Sequence, residues 1–141
     1  MKPIRPAMKD NIENLPLSCP CESGLHYRNC CQPYLEQIKD AATAEALMRS
    51  RYTAFVLKNE AYLRYSWHPD YCPADIHVSE KTKWLGLKIK KTNAGGKGDS
   101  SGEVEFIARS SFNGKASRLH ETSRFTRLDN RWVYLDGNFK D

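Results

Sequence analysis

The sequence predicts an α+β domain with an antiparallel sheet, preceded by a small metal-stapled module. Three observations lead to this prediction. Four cysteines crowd together near the amino terminus, and apolar residues then recur at helical spacing as far as Trp67. From Trp84 onward the apolar residues alternate with the period of two that strands show. Because helices come first and strands follow in one run, the strands are expected to pair as antiparallel neighbours.

The amino-terminal cysteine cluster consists of Cys19, Cys21, Cys30 and Cys31. A disulfide between the first two would close a tiny ring, and one between the adjacent last two would be strained. Four thiolates on two short turns instead supply the tetrahedral sulfur cage that structural zinc prefers. Such a closed shell leaves no position for water, so we expect a zinc that holds structure. A set of free or redox-active cysteines is the alternative.

The cluster divides the chain into three predicted parts. Residues 1–18 hold three prolines and scattered charges, which favours an arm of weak independent structure. Residues 19–35 form the zinc knuckle, whose few large apolar side chains make its folding depend on the metal. Residues 40–141 form the α+β domain, and the stretch 32–42 is predicted to be an exit helix or a linker.

Two helices open the domain. Thr43 is a good N-cap for a helix that runs to about Lys58, and Asn59 is one for a shorter helix from Glu60 to Trp67. Pro69 would stop the second helix. One face of the first helix is apolar and carries Ala44, Leu47, Met48, Tyr52 and Phe55.

Three or four antiparallel strands follow the helices. Their predicted ranges are 84–91, 103–112, 117–128 and 131–136, and a turn at Asp129 and Asn130 joins the last two. Leu85, Leu87 and Ile89 are expected to share one face of the first strand. The glycine-rich stretch 95–102 is predicted to be a flexible hairpin loop. We expect the domain to have its own core, built by residues that include Leu47, Phe55, Phe106 and Phe125.

The cysteine-rich string resembles a known zinc knuckle. CPCESGLHYRNCC is similar to the SEC-C motif, which also occurs at the carboxyl terminus of the translocase motor SecA. In that family the four matching cysteines bind zinc. Ser23, Gly24 and Tyr27 match as well, whereas Glu22 stands where glycine is usual.

The stretch after the knuckle resembles the YchJ family of small bacterial proteins. The similar segments are ATAEALMRSRYTAF, YLRYSWHP, GEVEFIAR, HETSRF and RWVYLDG, and with the knuckle they cover nearly all of the chain beyond residue 18. This resemblance implies a nuclear-transport-factor-2-like (NTF2-like) fold. In that cystatin-like cone a curved antiparallel sheet wraps around helices and often leaves a pocket.

Two charged residues occupy positions where apolar side chains are expected. Glu121 lies on the face of the third strand that also carries Leu119, Ser123 and Phe125, and Arg51 falls in the middle of the apolar helix face. An isolated buried charge is too costly to persist. The sequence therefore predicts that Arg51 and Glu121 meet across the helix–sheet interface. They form either a structural ion pair or the polar part of a pocket.

The pocket interpretation comes with a set of candidate residues. The pocket is predicted to include Arg51, Trp67, Glu121, Ser123, Trp132 and Tyr134. Candidate catalytic groups are Glu121, His68 and Asp136, with Tyr65 as a further partner. Asp136 belongs to the pocket if it shares the inner face of its strand with Trp132 and Tyr134. His68 has a simpler explanation, since a helix carboxyl terminus favours a cation.

Three functions are compatible with these features. The first is recognition of a protein partner through the knuckle, because the SEC-C motif of SecA contacts a chaperone. The second is an isomerase- or dehydratase-like enzyme that binds a small molecule in the cone pocket. The third is nucleic-acid binding through basic strands. Cone domains also pair through their sheets, so the resemblance is compatible with a homodimer.

The charge pattern argues against the third function. The chain has a net charge of +5, and its lysines gather between Lys81 and Lys97. No recognition helix or nucleic-acid aromatic motif accompanies them, which favours lysines that protect an edge strand.

The sequence also indicates where the protein resides. No apolar run approaches the ~18 residues of a membrane span, and the first residues lack the hydrophobic stretch of a signal peptide. Adjacent cysteines and a thiolate cage suit a reducing compartment, which favours the cytoplasm.

Overall fold

The helices precede the sheet, as the change of period predicts. The computed structural model describes residues 16–140, so most of the predicted arm, residues 1–18, lies outside the described residues. The helices are α1 (Gln32–Leu35), α2 (Ala44–Val56) and α3 (Glu60–Tyr65). The strands are β1 (Thr82–Ala94), β2 (Ser101–Phe112), β3 (Lys115–Leu128) and β4 (Arg131–Lys140). They form one curved antiparallel sheet in the order β1-β2-β3-β4.

Both predicted N-caps begin their helices. The Thr43 side chain accepts a hydrogen bond from the Ala46 amide at 3.1 Å, and the Asn59 side chain accepts one from the Tyr62 amide at 2.9 Å. Each bond satisfies an amide that has no partner within its own helix.

Two helices end earlier than the sequence predicts. The stretch 32–42, predicted to be an exit helix or a linker, is helical for four residues only, and Gln37 then adopts a φ of +58°, which turns the chain back. α3 ends at Tyr65, two residues before Trp67, because Trp67 forms a parallel bridge to Tyr134 of β4. This bridge brings the end of α3 onto the sheet.

A β-bulge in β1 changes which residues face inward. The pairing with β2 shifts between Trp84 and Gly86, so Leu85 is an extra residue. Leu85 is 54% exposed, whereas Trp84 packs its ring against Tyr52 and Phe55 of α2. The prediction that Leu85 shares one face with Leu87 is therefore wrong, because the bulge inverts the alternation.

A second bulge lies in β4. Arg124 pairs with Asp136 and Phe125 pairs with Tyr134, which leaves Leu135 as the extra residue. Asp136 consequently lies on the outer face of the sheet beside Arg124, while Tyr134 points inward. Without the bulge, Tyr134 and Asp136 would lie on the same face of the sheet.

The knuckle packs directly on α2. Cys19 Sγ lies 3.8 Å from Thr53 Oγ1, and Arg49 Nη1 donates a 2.7 Å hydrogen bond to the Cys21 carbonyl. Buried residues of the knuckle, among them Tyr27, belong to the same contiguous apolar cluster as the interior of the cone. The expected separate core of the domain is thus replaced by one shared core.

The glycine-rich hairpin loop is fastened to the rest of the fold. The Gly95 carbonyl accepts a 2.9 Å hydrogen bond from the Ala44 amide at the start of α2. Arg127 donates to the carbonyls of Lys97 at 2.7 Å and Asp99 at 2.8 Å. The loop predicted to be flexible is therefore held at several points.

The edges of the sheet agree with the charge pattern. β1 is an edge strand, and its lysines are exposed, as expected for residues that protect an edge from pairing with other chains. None of the helices in the described part of the chain has the length and apolarity needed to cross a membrane.

Candidate functional site

The four cysteines of the knuckle come together. Their sulfur atoms all lie within 4.8 Å of one another, and Cys21 Sγ is 3.6 Å from Cys30 Sγ. Zinc–sulfur bonds of about 2.3 Å in a tetrahedron place sulfur atoms about 3.8 Å apart. Cys19, Cys21 and Cys31 are buried. Four sulfur atoms at this spacing fit the tetrahedral coordination of a metal ion.

Short turns place the sulfur atoms. The Cys19 amide donates to the Leu25 carbonyl at 2.9 Å, which closes the first turn, and Gly24 supplies a φ of +89° within it. Ser23 Oγ lies 3.2 Å from Cys30 Sγ and accepts a hydrogen bond from the Leu25 amide at 3.1 Å. Ser23 therefore connects the first turn to the second cysteine pair.

Glu22 links the knuckle to the sheet. Its φ of +62° lies in the left-handed region that favours glycine. Its carboxylate accepts a 3.1 Å hydrogen bond from the Leu87 amide, beside the bulge in β1. Gly86 leaves room for this contact, since a Cβ there would lie 2.7 Å from the Glu22 carboxylate oxygen. Glu22, which stands where the motif usually has glycine, thus has a structural role in this chain.

The electrostatics of the cluster favour a cation at its centre. Burial raises the pKa of Cys30 to about 11, and hydrogen bonding from Cys19 together with burial raises the pKa of Cys31. Hydrogen bonding from Cys19 and Cys31 lowers the pKa of Cys21. The surroundings therefore favour the Cys21 thiolate and disfavour thiolates at Cys30 and Cys31. A divalent cation would offset the repulsion among four thiolates.

A second feature is a cavity between α2 and the inner face of the sheet, which we call the cone cavity. Its volume is about 280 Å³. Phe139 is exposed at the end of β4 and marks the open side. Aromatic and aliphatic side chains form most of the wall. The lining consists of Met48, Arg51, Tyr52, Phe55, Trp67, Trp84, Phe106, Ala108, Leu119, Glu121, Ser123, Tyr134 and Phe139.

Arg51 lies in the wall of the cone cavity and is only 5% exposed. Its Nη1 donates to the Leu63 carbonyl at 2.9 Å and to Ser66 Oγ at 2.7 Å. The guanidinium carbon lies 4.8 Å from the ring centre of Trp67 and 4.5 Å from that of Tyr134. Burial lowers the pKa of Arg51 to about 10, so it remains a cation at neutral pH.

Glu121 is the acidic counterpart and is 6% exposed. Its Oε2 accepts hydrogen bonds from Ser123 Oγ at 2.7 Å and from the Tyr134 hydroxyl at 3.0 Å. Burial and the Glu121 charge raise the pKa of Tyr134, so the phenol keeps its proton and donates. These two donors fix the carboxylate in the cavity wall.

Arg51 and Glu121 do not form a direct ion pair, which is one of the two arrangements that the sequence predicts. Both are buried and both line the cone cavity, but no Arg51 nitrogen lies within 4.0 Å of a Glu121 oxygen. Tyr134 connects them instead, with its ring against the guanidinium and its hydroxyl on the carboxylate. Each charge therefore has its own polar and aromatic partners.

The remaining candidates divide between the cone cavity and other places. Trp67, Ser123 and Tyr134 line the cavity with the two charges. Trp132 is buried elsewhere and donates a 3.2 Å hydrogen bond to the Ala42 carbonyl. The inclusion of Trp132 in the pocket is wrong, because its ring packs toward the start of α2 and under Arg127.

The candidate catalytic groups do not converge. Asp136 lies on the outer face, where Arg124 donates to it at 2.7 and 2.9 Å. His68 accepts a 3.1 Å hydrogen bond from the Asp70 amide and meets the Tyr71 ring edge to face, outside the cavity lining. Tyr65 also lies outside that lining. Of the proposed acids and bases, the cavity contains Glu121 alone.

Two residues of the site escaped the sequence interpretation. Gly137 of β4 pairs with Ser123 of β3, and a Cβ at this position would overlap the Glu121 carboxylate. Ser66 is buried and accepts a hydrogen bond from Arg51. A glycine inside a strand is a signal of a close approach, so Gly137 was detectable in principle. Nothing local marks Ser66.

The chain is similar to proteins from several bacteria. A family model described as YchJ, middle NTF2-like domain, matches residues 43–137. A UPF0225 protein of Chromobacterium violaceum is 48% identical over 124 residues, which cover 85% of this chain and 91% of that relative. A UPF0225 protein of Ralstonia nicotianae is 46% identical over 133 residues, with 86% of this chain and 90% of the relative covered.

Two solved structures share the fold. The solution structure of a SEC-C motif containing protein from Rhodopseudomonas palustris has a TM-score of 0.77 and 36% identity, covering 87% of this chain and 98% of the other. The crystal structure of a SEC-C motif containing protein from Psychrobacter arcticus has a TM-score of 0.70 and 28% identity, covering 87% and 82%.

Proposed function

Because the chain belongs to the YchJ family, in which a SEC-C motif precedes an NTF2-like domain, we propose that it is a binding module with two specialised parts. The knuckle holds a structural zinc ion, and the cone cavity binds a small molecule. None of the five cysteines forms a disulfide, which supports residence in a reducing compartment such as the cytoplasm.

One observation carries the proposal of a ligand site. Arg51 is buried in the wall of the cone cavity. Its Nη2 and Nε atoms, however, donate no hydrogen bond to any of the described residues. Every fully buried side-chain nitrogen or oxygen among those residues has a partner, so these two atoms must reach the cavity space. Unused donors on a buried cation are costly unless a ligand or water accepts from them.

The geometry supports binding better than catalysis. Enzymatic acid–base chemistry needs groups within reach of one another, and His68 and Asp136 lie away from Glu121. Within the cavity, Glu121 has one oxygen held by two donors, which suits a fixed recognition group. Four sulfur ligands would fill the coordination shell of zinc and leave no open position, which supports a structural role.

A fragment screen by nuclear magnetic resonance tests the ligand site. The chain contains three tryptophans, of which Trp67 and Trp84 line the cone cavity and Trp132 does not. We expect fragments of up to about ten non-hydrogen atoms to shift the indole signals of Trp67 and Trp84. The Trp132 signal should stay in place and serves as an internal control.

A variant whose cone cavity is partly filled serves as the control for fragment binding. Ala108 is buried in the cavity wall, so Ala108→Leu should occupy part of the space and weaken the fragments that bind there. Ala116→Leu, at an exposed position on β3, is the matched change outside the cavity. The proposal fails if no fragment shifts the two indoles, or if Ala108→Leu binds every fragment as well as the native protein does.

Recognition of a protein partner by the knuckle is a second candidate function. Leu17, Leu25 and Ile38 are exposed aliphatic side chains just before, within and just after the knuckle, which favours a contact there. A photo-crosslinking amino acid in place of Leu25 should yield a discrete adduct with another protein in cells. The same replacement at exposed Ala116 should not. Adducts formed only between copies of this chain would indicate a homodimer and contradict this candidate.

A further inference from the structure

The cone cavity carries one positive and one negative charge. Among its lining residues the charged side chains are Arg51 and Glu121, so the cavity as a whole is neutral. Lysines and the other arginines of the described chain lie outside this lining. A ligand that brings a net charge would therefore leave one buried charge without compensation.

Both charged groups have unused hydrogen-bonding capacity toward the cavity. Arg51 offers the edge formed by Nη2 and Nε, since only Nη1 has partners among the described residues. Glu121 offers Oε1, since Ser123 and Tyr134 both donate to Oε2. No Arg51 nitrogen lies within 4.0 Å of a Glu121 oxygen, and both side chains line the same cavity, so one head group could contact both.

The walls around this polar pair are aromatic. Seven of the thirteen lining residues are aromatic, including Trp67, Trp84 and Phe106. Such walls favour flat rings, which stack or meet them edge to face. The cavity volume of about 280 Å³ equals that of about nine water molecules in the liquid. A ligand with roughly nine or ten non-hydrogen atoms, such as one aromatic ring with a short head group, would fill it.

We propose that the cone cavity selects uncharged aromatic carboxamides, whose carbonyl oxygen accepts from Arg51 and whose amide N–H donates to Glu121. This inference rests on the proposed function and names the ligand class of that site. A carboxamide provides an acceptor and a donor side by side without adding charge. It thus satisfies both unused groups while the cavity stays neutral.

Charged relatives of such a ligand fit less well. An aromatic carboxylate matches the Arg51 edge but places a second negative charge near Glu121. An aromatic ammonium ion matches Glu121 but places a second positive charge near Arg51. Either complex requires a proton to be taken up or lost, or leaves a buried charge unpaired.

Three probes that differ only in the head group test the inference. Benzamide, benzoate and benzylammonium would each be titrated into the native protein while the indole signals of Trp67 and Trp84 are followed. We expect benzamide to bind at least tenfold more tightly than either ion. The Trp132 indole reports any effect outside the cone cavity.

A charge-altering variant sharpens the test. Glu121→Gln keeps the volume and the hydrogen bonds from Ser123 and Tyr134, but it makes the cavity net positive. The preference should then change toward benzoate by at least tenfold relative to benzamide. Arg51→Met, if it folds, should change the preference toward benzylammonium. A purely structural role for Glu121 would leave the order of the three probes unchanged.

The outcomes separate this inference from the proposed function. Tighter binding of benzoate or benzylammonium to the native protein would overturn the carboxamide class but leave a ligand site in the cavity. An unchanged probe order in Glu121→Gln would overturn the role assigned to that carboxylate. If none of the probes binds while other fragments shift Trp67 and Trp84, only the carboxamide inference fails. If no fragment shifts them either, the ligand site itself fails.

Discussion

At the scale of the single residue, Gly137 determines where a buried charge can lie. Its missing side chain leaves the space that the Glu121 carboxylate fills. Gly137→Ala should push Glu121 out of reach of Ser123 and Tyr134 and lower the free energy of unfolding by about 1–3 kcal/mol. Chemical denaturation measures this difference. Gly98→Ala is the matched control, because a Cβ there meets nothing within 4 Å. Equal losses in the two variants would contradict the proposed close approach.

At the scale of the structural element, the knuckle is a turn-rich segment in which four cysteine sulfur atoms come together. We expect one zinc ion per chain, measured by mass spectrometry of the native protein or by elemental analysis. The double change Cys30→Ser and Cys31→Ser should abolish zinc binding, because it removes half of the sulfur shell. Cys72→Ser is the control, since Cys72 lies outside the cluster. Zinc retained in full by the double variant would refute the assignment.

At the scale of the whole molecule, the knuckle and the cone share one core. Cys19 contacts Thr53, Arg49 binds the Cys21 carbonyl, and Glu22 accepts from Leu87 of β1. Zinc binding to small knuckles is worth roughly 10 kcal/mol or more, which is comparable to the total stability of a domain. Chelation should therefore lower the melting temperature of the entire chain.

The measurement is thermal unfolding followed by circular dichroism, with and without a strong zinc chelator. The helix and sheet signals should be lost in a single transition at a lower temperature. Added zinc should restore the original curve. A cone that melts at an unchanged temperature after zinc removal would show that the two parts have independent cores.

Much of this protein could be predicted from its sequence because the relevant signals are local. Cysteine spacing indicates the metal-binding cluster, since two short turns suffice to bring four sulfur atoms together. Thr43 and Asn59 mark the helix starts because a cap acts within three residues. Alternation along β3 placed Glu121 and Ser123 in the interior, because that strand has no bulge across this stretch.

Only the tertiary structure decided which partners these residues have. The bulge at Leu135 sends Asp136 to the outer face, and one extra residue in a ladder leaves no clear mark in the sequence. The bridge between Trp67 and Tyr134 determines that Arg51 lies against both of these rings and binds Ser66. Such contacts depend on how α3 meets the sheet. Periodicity shows which face of an element is buried, but the partner across the core is a property of the packing.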